Sequence, residues 1–487
     1  MARSLGLVAY SLAMARIIPL VDLVFLLIDR PETPANVGVL MQFDPPDGRS
    51  ARSVVGEILR SYRKAVPSAP FDCVPDMQGL GLPQWQTVQK IDLRYHVRKE
   101  LLAGPGGDAE LNELVSELHR EPLDRSRPLF RLHLIEGLAS GRFALYLKSH
   151  HASWDGRSAL HRVFRSLGTE PGPLKPPFFA GEGSSTGVLP TAADTMRWVM
   201  AQALGLRELL PALASRTNRP TDLLPKVIGN QPFAGPHTRF NLPLVAERSF
   251  AGFSLPIDEM REVAATFDAK LNDVVLGVVD AGLERYLAAL KERPGKPLVA
   301  MCPVSIRDPD DLETTTKVAT LFVPLAKPRV AIAERMRQIA ANTVAAKREL
   351  GALSNEAKID FALLAFGLWW GAHALGLDAF TRPVINVVIS NVGGLPEPHY
   401  LGRSRLVAAY PVSMLADPVG LNVTTLSGDG RMDFGIVANY AAVPDAGEIA
   451  RHCVAAFETL RRQRPKATRG ATRRRPARRR SAGQLRT

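Results

Sequence analysis

The strongest constraint on the fold of this 487-residue chain is a break in character between residues 171 and 245. Pro171, Pro173, Pro176 and Pro177 open the break, and Gly181-Glu-Gly-Ser-Ser185 extends it, a composition that favours a linker over a packed element. A helix is expected inside it over 192–213, and a polar stretch up to Pro243 closes it. A chain this long exceeds one ordinary hydrophobic core and suits two domains of about 200 residues each. The break therefore reads as a crossover between an N-terminal domain, 17–170, and a C-terminal domain, 246–461.

Both halves alternate strands with helices. In the first, 37–43, 131–135 and 142–149 read as strands, and 53–66, 110–119 and 158–167 as helices. The helix at 53–66 spaces Val54, Val55, Ile58, Leu59 and Tyr62 for one face, and that at 110–119 does the same with Leu111, Leu114, Val115 and Leu118. In the second half, strands are expected at 248–255, 298–306, 319–325, 384–390, 405–409, 421–427 and 432–438. Helices are expected at 257–267, 273–291, 330–348 and 446–461, with Asn272 as the N-cap of the second.

The apolar fraction of 46% and charged fraction of 22% exclude wholesale disorder. A formal net charge of +13 points first to nucleic acid or an anionic surface. Its distribution changes that reading. Residues 461–487 hold 11 Arg, one Lys and no acid, which leaves the rest of the chain at +1. A balanced body without a basic stripe or aromatic platform makes nucleic acid an unexpected partner, and binding through the tail a distant alternative. Residues 462–487 are expected to be a disordered basic tail.

Three widely spaced cysteines, Cys73, Cys302 and Cys453, build neither a disulfide framework nor a zinc spacing and fit a reducing cytosol. Cys302, in an apolar strand, reads as core rather than nucleophile. The apolar segment 5–27 is broken by Arg16, Pro19 and Asp22 and makes a poor membrane span. Met14-Ala-Arg echoes Met1-Ala-Arg, so residues 1–16 read as an N-terminal extension. The uncharged run 361–377, with Trp369 and Trp370, is short for a span and reads as a buried helix; the other reading is a tunnel-lining or lipid-touching one.

The chemistry concentrates at His150-His151-Ala-Ser-Trp-Asp155-Gly156, at the end of a strand. Successive strand side chains point to opposite faces, so only one of the two histidines can face a given cavity. That argues against a shared metal, whose ligands must converge. It favours one histidine as a base near neutral pH, with Asp155 fixing its tautomer or its loop and Gly156 permitting the turn into the next helix.

HHxxxDG is the signature of the CoA-dependent acyltransferases that resemble chloramphenicol acetyltransferase. More of the chain resembles one branch, the bacterial wax ester synthase/diacylglycerol acyltransferases. Pro19-Leu-Val-Asp22, Phe25-Leu-Leu, Glu32-Thr-Pro34 and Val37-Gly38 match its opening. Pro122-Leu-Asp-Arg-Ser-Arg-Pro-Leu-Phe130 is similar to its Pro-Leu-Trp block, with Phe in place of Trp. Leu271-Asn272-Asp273-Val274, Pro303-Val-Ser-Ile-Arg307, Ser390-Asn-Val-Gly-Gly394, Gly420-Leu-Asn-Val-Thr424, Asp433-Phe-Gly435 and Val443-Pro-Asp445 follow in order. Thr314-Thr-Thr316 stands where the family has Gly-Asn, and Gly-Gly replaces Pro-Gly after Ser-Asn-Val. These departures bear on acyl and acceptor selectivity, not on the type of reaction.

The resemblance implies an α/β protein of two chloramphenicol-acetyltransferase-like domains, each a mixed sheet flanked by helices, with a substrate tunnel at their interface. It implies an O-acyltransferase moving a long-chain acyl group from acyl-CoA to diacylglycerol or a fatty alcohol. The alternative is the same chemistry on a polyketide-type lipid or carrier-bound acceptor. His151 would be the general base beside His150, Asp155 an orienting residue, and Asn272 an oxyanion donor as well as a cap. Asp273, Ser390, Asn391, Gly393 and Gly394 would meet substrate. Acyl-CoA would be a co-substrate, with no metal and no permanently bound cofactor. The basic tail would hold a cytoplasmic enzyme peripherally at an anionic membrane or lipid-droplet surface.

Overall fold

The computed structural model describes residues 17–78, 82–153, 162–180, 235–305, 318–351, 354, 357–358, 376, 382–394 and 396–463. The expectations for residues 1–16, for Asp155 and Gly156, for the helix at 192–213, for Thr314-Thr-Thr316, for the apolar run 361–377 apart from Gly376, and for the tail from 464 fall outside the described residues.

The first half contributes α1 (Leu20–Ile28), β1 (Asn36–Asp44), α2 (Ala51–Tyr62), the ribbon β2 and β3 (Cys73–Asp76, Gln84–Thr87), β4 (Val97–Leu101), α3 (Asp108–Arg120), β5 (Phe130–Glu136) and β6 (Phe143–His150). The second contributes β7 (Arg248–Pro256), α4 (Ile257–Thr266), α5 (Leu271–Ala289), β8 (Val299–Ser305), β9 (Val318–Pro324), α6 (Ile332–Gly351), β10 (Val387–Val392), β11 (Tyr400–Leu401), β12 (Ser404–Val412), β13 (Leu421–Gly428), β14 (Arg431–Asn439) and α7 (Ala446–Arg462). They form two mixed six-stranded sheets, ordered β11-β12-β1-β6-β5-β4 and β7-β14-β13-β10-β8-β9.

Period-two alternation splits the first sheet between two cores. Phe143, Leu145 and Leu147 of β6 pack with Val54, Val55, Ile58 and Tyr62 of α2. Ala144 and Tyr146, on the opposite face, pack with Leu111, Val115 and Leu118 of α3. The second sheet is covered by α4 to α7. The core strand residues Val387, Ile389, Val423 and Ile436 meet Val275 and Val279 of α5 and Phe457 of α7.

One strand departs from the division that the sequence suggests. The segment expected at 405–409 within the C-terminal domain is β12, and it belongs to the first sheet. It runs antiparallel to β1 from Gly38 opposite Val412 to Asp44 opposite Arg405. Without it, β1 would be an open edge in a sheet whose both faces are buried, a liability that pairing removes.

The crossing strand is also where the sheets are locked together. Gly252 of β7 and Gly435 of β14 are directly paired. A Cβ at Gly252 would lie 2.6 Å from the Tyr410 ring, and one at Gly435 would lie 1.7 Å from the Pro411 carbonyl oxygen. Asp433 accepts the Ala409 N–H at 2.8 Å and the Ser254 hydroxyl at 2.6 Å. Burial raises the Asp433 pKa, against the lowering pull of Arg431 and these donors. The Asp433-Phe-Gly435 block is thus a joint between the halves. Elsewhere the Ser116 hydroxyl of α3 accepts the Phe250 N–H of β7 at 2.9 Å.

Candidate active site

β6 delivers the histidine pair. His150 is its last residue, and His151 opens a short 3-10 turn, His151–Ser153. The alternation argument therefore stops one residue short: His151 has left the strand. The two rings are still separated, because the turn redirects the second. His150 is only 1% exposed, whereas His151 is half-buried.

His150 is held by a hydrogen bond on its Nδ1 side, and Nε2 has no hydrogen-bond partner among the described residues. Its Nδ1 accepts the Ala152 N–H at 3.1 Å, which places the neutral ring's proton on Nε2. Nε2 lies 3.6 Å from the Asp29 carboxylate. His151 is fixed through its backbone, whose N–H donates to the Ala35 carbonyl at 2.8 Å. Its ring stacks on Phe25 of α1 with centroids 3.9 Å apart and planes 22° from parallel. Ala152 sits in an apolar cluster with Leu26 of α1 and with Leu123 and Leu129. That places the Pro122–Phe130 block under the turn, where the Leu129 carbonyl also accepts from His150 N at 3.1 Å and Ser149 Oγ at 3.0 Å.

Asp29 follows the last turn of α1. One carboxylate oxygen accepts the Ala35 N–H at 2.9 Å, and the other accepts Nη2 of Arg125 at 2.9 Å. Burial pushes the Asp29 pKa up, but His150, the Ala35 amide and Arg125 outweigh it, so the group stays below the usual aspartate value. Arg125 also donates to the Leu26 carbonyl, a cation at a helix C-terminus.

Below His150 on the same strand face, Lys148 is fully buried. Its ammonium donates to the carbonyls of Leu118 and Glu121, the latter at 2.8 Å. Asn36, opposite His150 in the β1–β6 pairing, donates to His119 O at 2.8 Å and Glu121 O at 2.9 Å. Together they take up the Leu118, His119 and Glu121 carbonyls at the end of α3. Burial, with help from the Arg131 charge, pulls the Lys148 pKa down to about 7. Burial likewise pulls His119 down to about 3, so its ring is neutral, with Tyr146 Oη 2.7 Å from Nδ1 and Ser413 O 3.2 Å from Nε2.

Ser413 joins the two halves of the site. Its hydroxyl lies 2.7 Å from Thr424 Oγ1 on β13, and Thr424 stands opposite Ser390 of β10. The histidine end of the first sheet and the Ser390 end of the second therefore meet around Ser413. Asn391 accepts the Thr425 hydroxyl at 3.1 Å. Gly393 is exposed, and Gly394 donates its N–H to Ser427 Oγ at 3.2 Å. A Cβ at Gly394 would lie 1.5 Å from the Ser427 carbonyl oxygen, so this position has room for glycine alone.

Asn272 does not cap its helix. α5 starts at Leu271, with Lys270 at the N-cap position. Asp273 reaches back to accept the Lys270 N–H at 2.8 Å, so the capping carboxylate is one residue further on than expected. Asp273 is buried, and its second oxygen has no hydrogen-bond partner among the described residues. Asn272 is left half-buried in the first turn. Cys302 and Cys453 are buried, and burial pushes both thiols up to about 12. Among the described residues, no group of three or more His, Cys, Asp or Glu could hold a metal ion.

The family model described as the wax ester synthase/diacylglycerol acyltransferase catalytic domain matches residues 19–275, and the WS/DGAT C-terminal domain matches 315–461. The chain belongs to the wax ester synthase/diacylglycerol acyltransferase family. This acyltransferase is similar to a provisionally named diacylglycerol O-acyltransferase of Mycobacterium tuberculosis, 34% identical over 91% of this chain and 98% of the relative. A similarly named Mycobacterium bovis protein is 34% identical over 87% and 86%. The solved wax ester synthase/diacylglycerol acyltransferase from Marinobacter aquaeolei VT8 superposes with a TM-score of 0.72 and 27% identity, covering 91% of this chain and 98% of that one. A starter condensation domain of rhizomide synthetase, at TM-score 0.55 and 14% identity, covers 94% of this chain and 97% of its own and shares the fold. Among the described residues of the acyltransferase, no helix is long and apolar enough to cross a membrane.

Asp29 is not among the residues that the motifs single out. The available signal was spacing: Phe25 and Asp29 are four residues apart at the end of an apolar helix, so one face meets both histidines.

Proposed function

We propose that the enzyme transfers a long-chain acyl group from acyl-CoA to the hydroxyl of diacylglycerol or of a long-chain alcohol, with His151 as the general base. The observation that carries this reading is the division of labour in the pair. His150 is buried, with Nδ1 tied to the Ala152 amide and Nε2 3.6 Å from Asp29, while His151 is half-buried with its backbone tied to Ala35 and its ring laid on Phe25. The names of the relatives supply the acyl chemistry and the two acceptor classes.

In this mechanism His151 takes the hydroxyl proton as the acceptor oxygen bonds to the thioester carbonyl carbon. The C–S bond of the tetrahedral intermediate then breaks, and the imidazolium returns the proton to the CoA thiolate. Ester and free CoA result, without an acyl-enzyme. Asn272, released from the capping role, is the proposed oxyanion donor. Asp155 orients the loop, and Ser390, Asn391, Gly393 and Gly394 border the acceptor path.

The test is release of free CoA by the full chain, given palmitoyl-CoA with diacylglycerol, hexadecanol or a carrier-bound acceptor. His151→Ala is expected to lower kcat by about 100-fold to 10,000-fold in a folded protein, and Asn272→Ala by about 100-fold or more. A folded His151→Ala enzyme with near-normal turnover would remove the mechanism. The +12 carried by residues 461–487 fits peripheral attachment to anionic lipid. Deleting 462–487 is expected to abolish binding to phosphatidylserine vesicles while transfer to soluble acceptors continues; unchanged vesicle binding would reject that role.

A further inference from the structure

We propose that Asp29 is a positioning residue of the transfer reaction, clamping the histidine turn so that the His151 ring is presented in one orientation. This deepens the reading of His151 as the base and rests on it.

Three observations converge on the carboxylate. First, it reaches the base through a single residue: Asp29 Oδ1 accepts the Ala35 N–H at 2.9 Å, and the carbonyl of Ala35 accepts the His151 N–H at 2.8 Å. Second, Asp29 Oδ2 stands 3.6 Å from His150 Nε2, the ring nitrogen left to carry the proton once Nδ1 has accepted the Ala152 amide. Third, Phe25 precedes it by four residues, on the same helix face, and stacks on the His151 ring at 3.9 Å. The end of α1 therefore sets a carboxylate 3.6 Å from the first histidine, stacks a ring on the second, and reaches the backbone of the second through Ala35.

The chemistry requires a carboxylate there. The Asp29 side chain is 9% exposed, and a buried charge without partners is costly. Its oxygens accept from the Ala35 amide and from the Arg125 guanidinium, each at 2.9 Å, and the His150 ring nitrogen stands 3.6 Å away. An asparagine of the same shape would turn an NH2 group toward one of these donors and lose its grip on that side. A displacement of about 1 Å in a reacting group is enough to slow chemistry by about 100-fold.

Asp29→Asn and Asp29→Glu test this in the full-length enzyme, by free-CoA release with kcat and KM measured separately and folding followed by circular dichroism. The expected result for Asp29→Asn is a kcat lower by about 10- to 100-fold with KM for acyl-CoA within about threefold. Asp29→Glu keeps the charge with one more methylene and is expected to recover part of that loss. In a His151→Ala background, Asp29→Asn is expected to lower the residual rate no further, because the group it positions is gone. If Asp29→Asn does not fold, Asp29→Glu carries the test, and a folded Glu variant at the wild-type kcat overturns the proposal. So does a folded Asp29→Asn enzyme whose kcat stays within about twofold. The base reading fails separately, if His151→Ala alone keeps its turnover.

Discussion

At the scale of single residues, the end of β6 separates groups that serve the turn from the group that meets substrate. Lys148 and His150 share one face and stay inside, and their polar atoms go to the end of α3 and to the histidine turn. The Lys148 ammonium has a pKa of about 7 in the folded protein against an ordinary 10.5. Between these values the unfolded chain holds a proton that the folded one has shed, so folding stability rises with pH across that window. Below about pH 7 the folded protein buries the charged form, and the penalty is fully present. Urea unfolding of the wild type and of Lys148→Met, from pH 6.5 to 10, is expected to show the wild type gaining on the variant as pH rises. A flat difference would mean that Lys148 titrates normally. Asp29 shows why such positions hide in a sequence. An acid after an apolar helix has no local signature, and its meaning comes from residues about 120 positions away.

At the scale of elements, most strands and helices were legible because hydrophobic periodicity reports which face is buried. The helix expected at 53–66 is α2, started by Ser50, whose hydroxyl accepts the Ser53 N–H at 3.3 Å. The strand expected at 142–149 is β6, shifted by one residue, and that at 432–438 lies within β14. Short β2, β3 and β4 lacked enough residues to show a period, and α1 was read only as a poor membrane span. The N-cap of α5 lies two residues earlier than Asn272, at Lys270, because the Asp273 carboxylate reaches back from the third helical position to the Lys270 N–H and allows the helix to begin at Leu271. The Ser390–Gly394 motif was legible as a turn, but its packing was not. Gly394→Ala must part the ends of β10 and β13, and is expected to cost about 1–3 kcal/mol. Its urea midpoint should fall with an unchanged m-value. A wild-type midpoint would show that the Ser427 carbonyl yields freely.

At the scale of the whole molecule, periodicity distinguishes strands but not their partners. That is why β12 was placed with its sequence neighbours instead of beside β1. A chain stopped before Tyr400 lacks β11 to β14 and α7 and is expected to be insoluble, with β1 left as a bare edge and β7 without its neighbour β14. A soluble, cooperatively folded fragment would count against the crossing strand as a structural necessity. The crossing strand also sets a timetable for synthesis. β1 leaves the ribosome about 360 residues ahead of β12, a delay of tens of seconds at about 5–20 residues per second. Through that interval the nascent N-terminal sheet carries an unpaired border that β12 of its own chain has yet to close. The histidine turn and its clamp are thus synthesised early, and their sheet is completed only after β12 has followed.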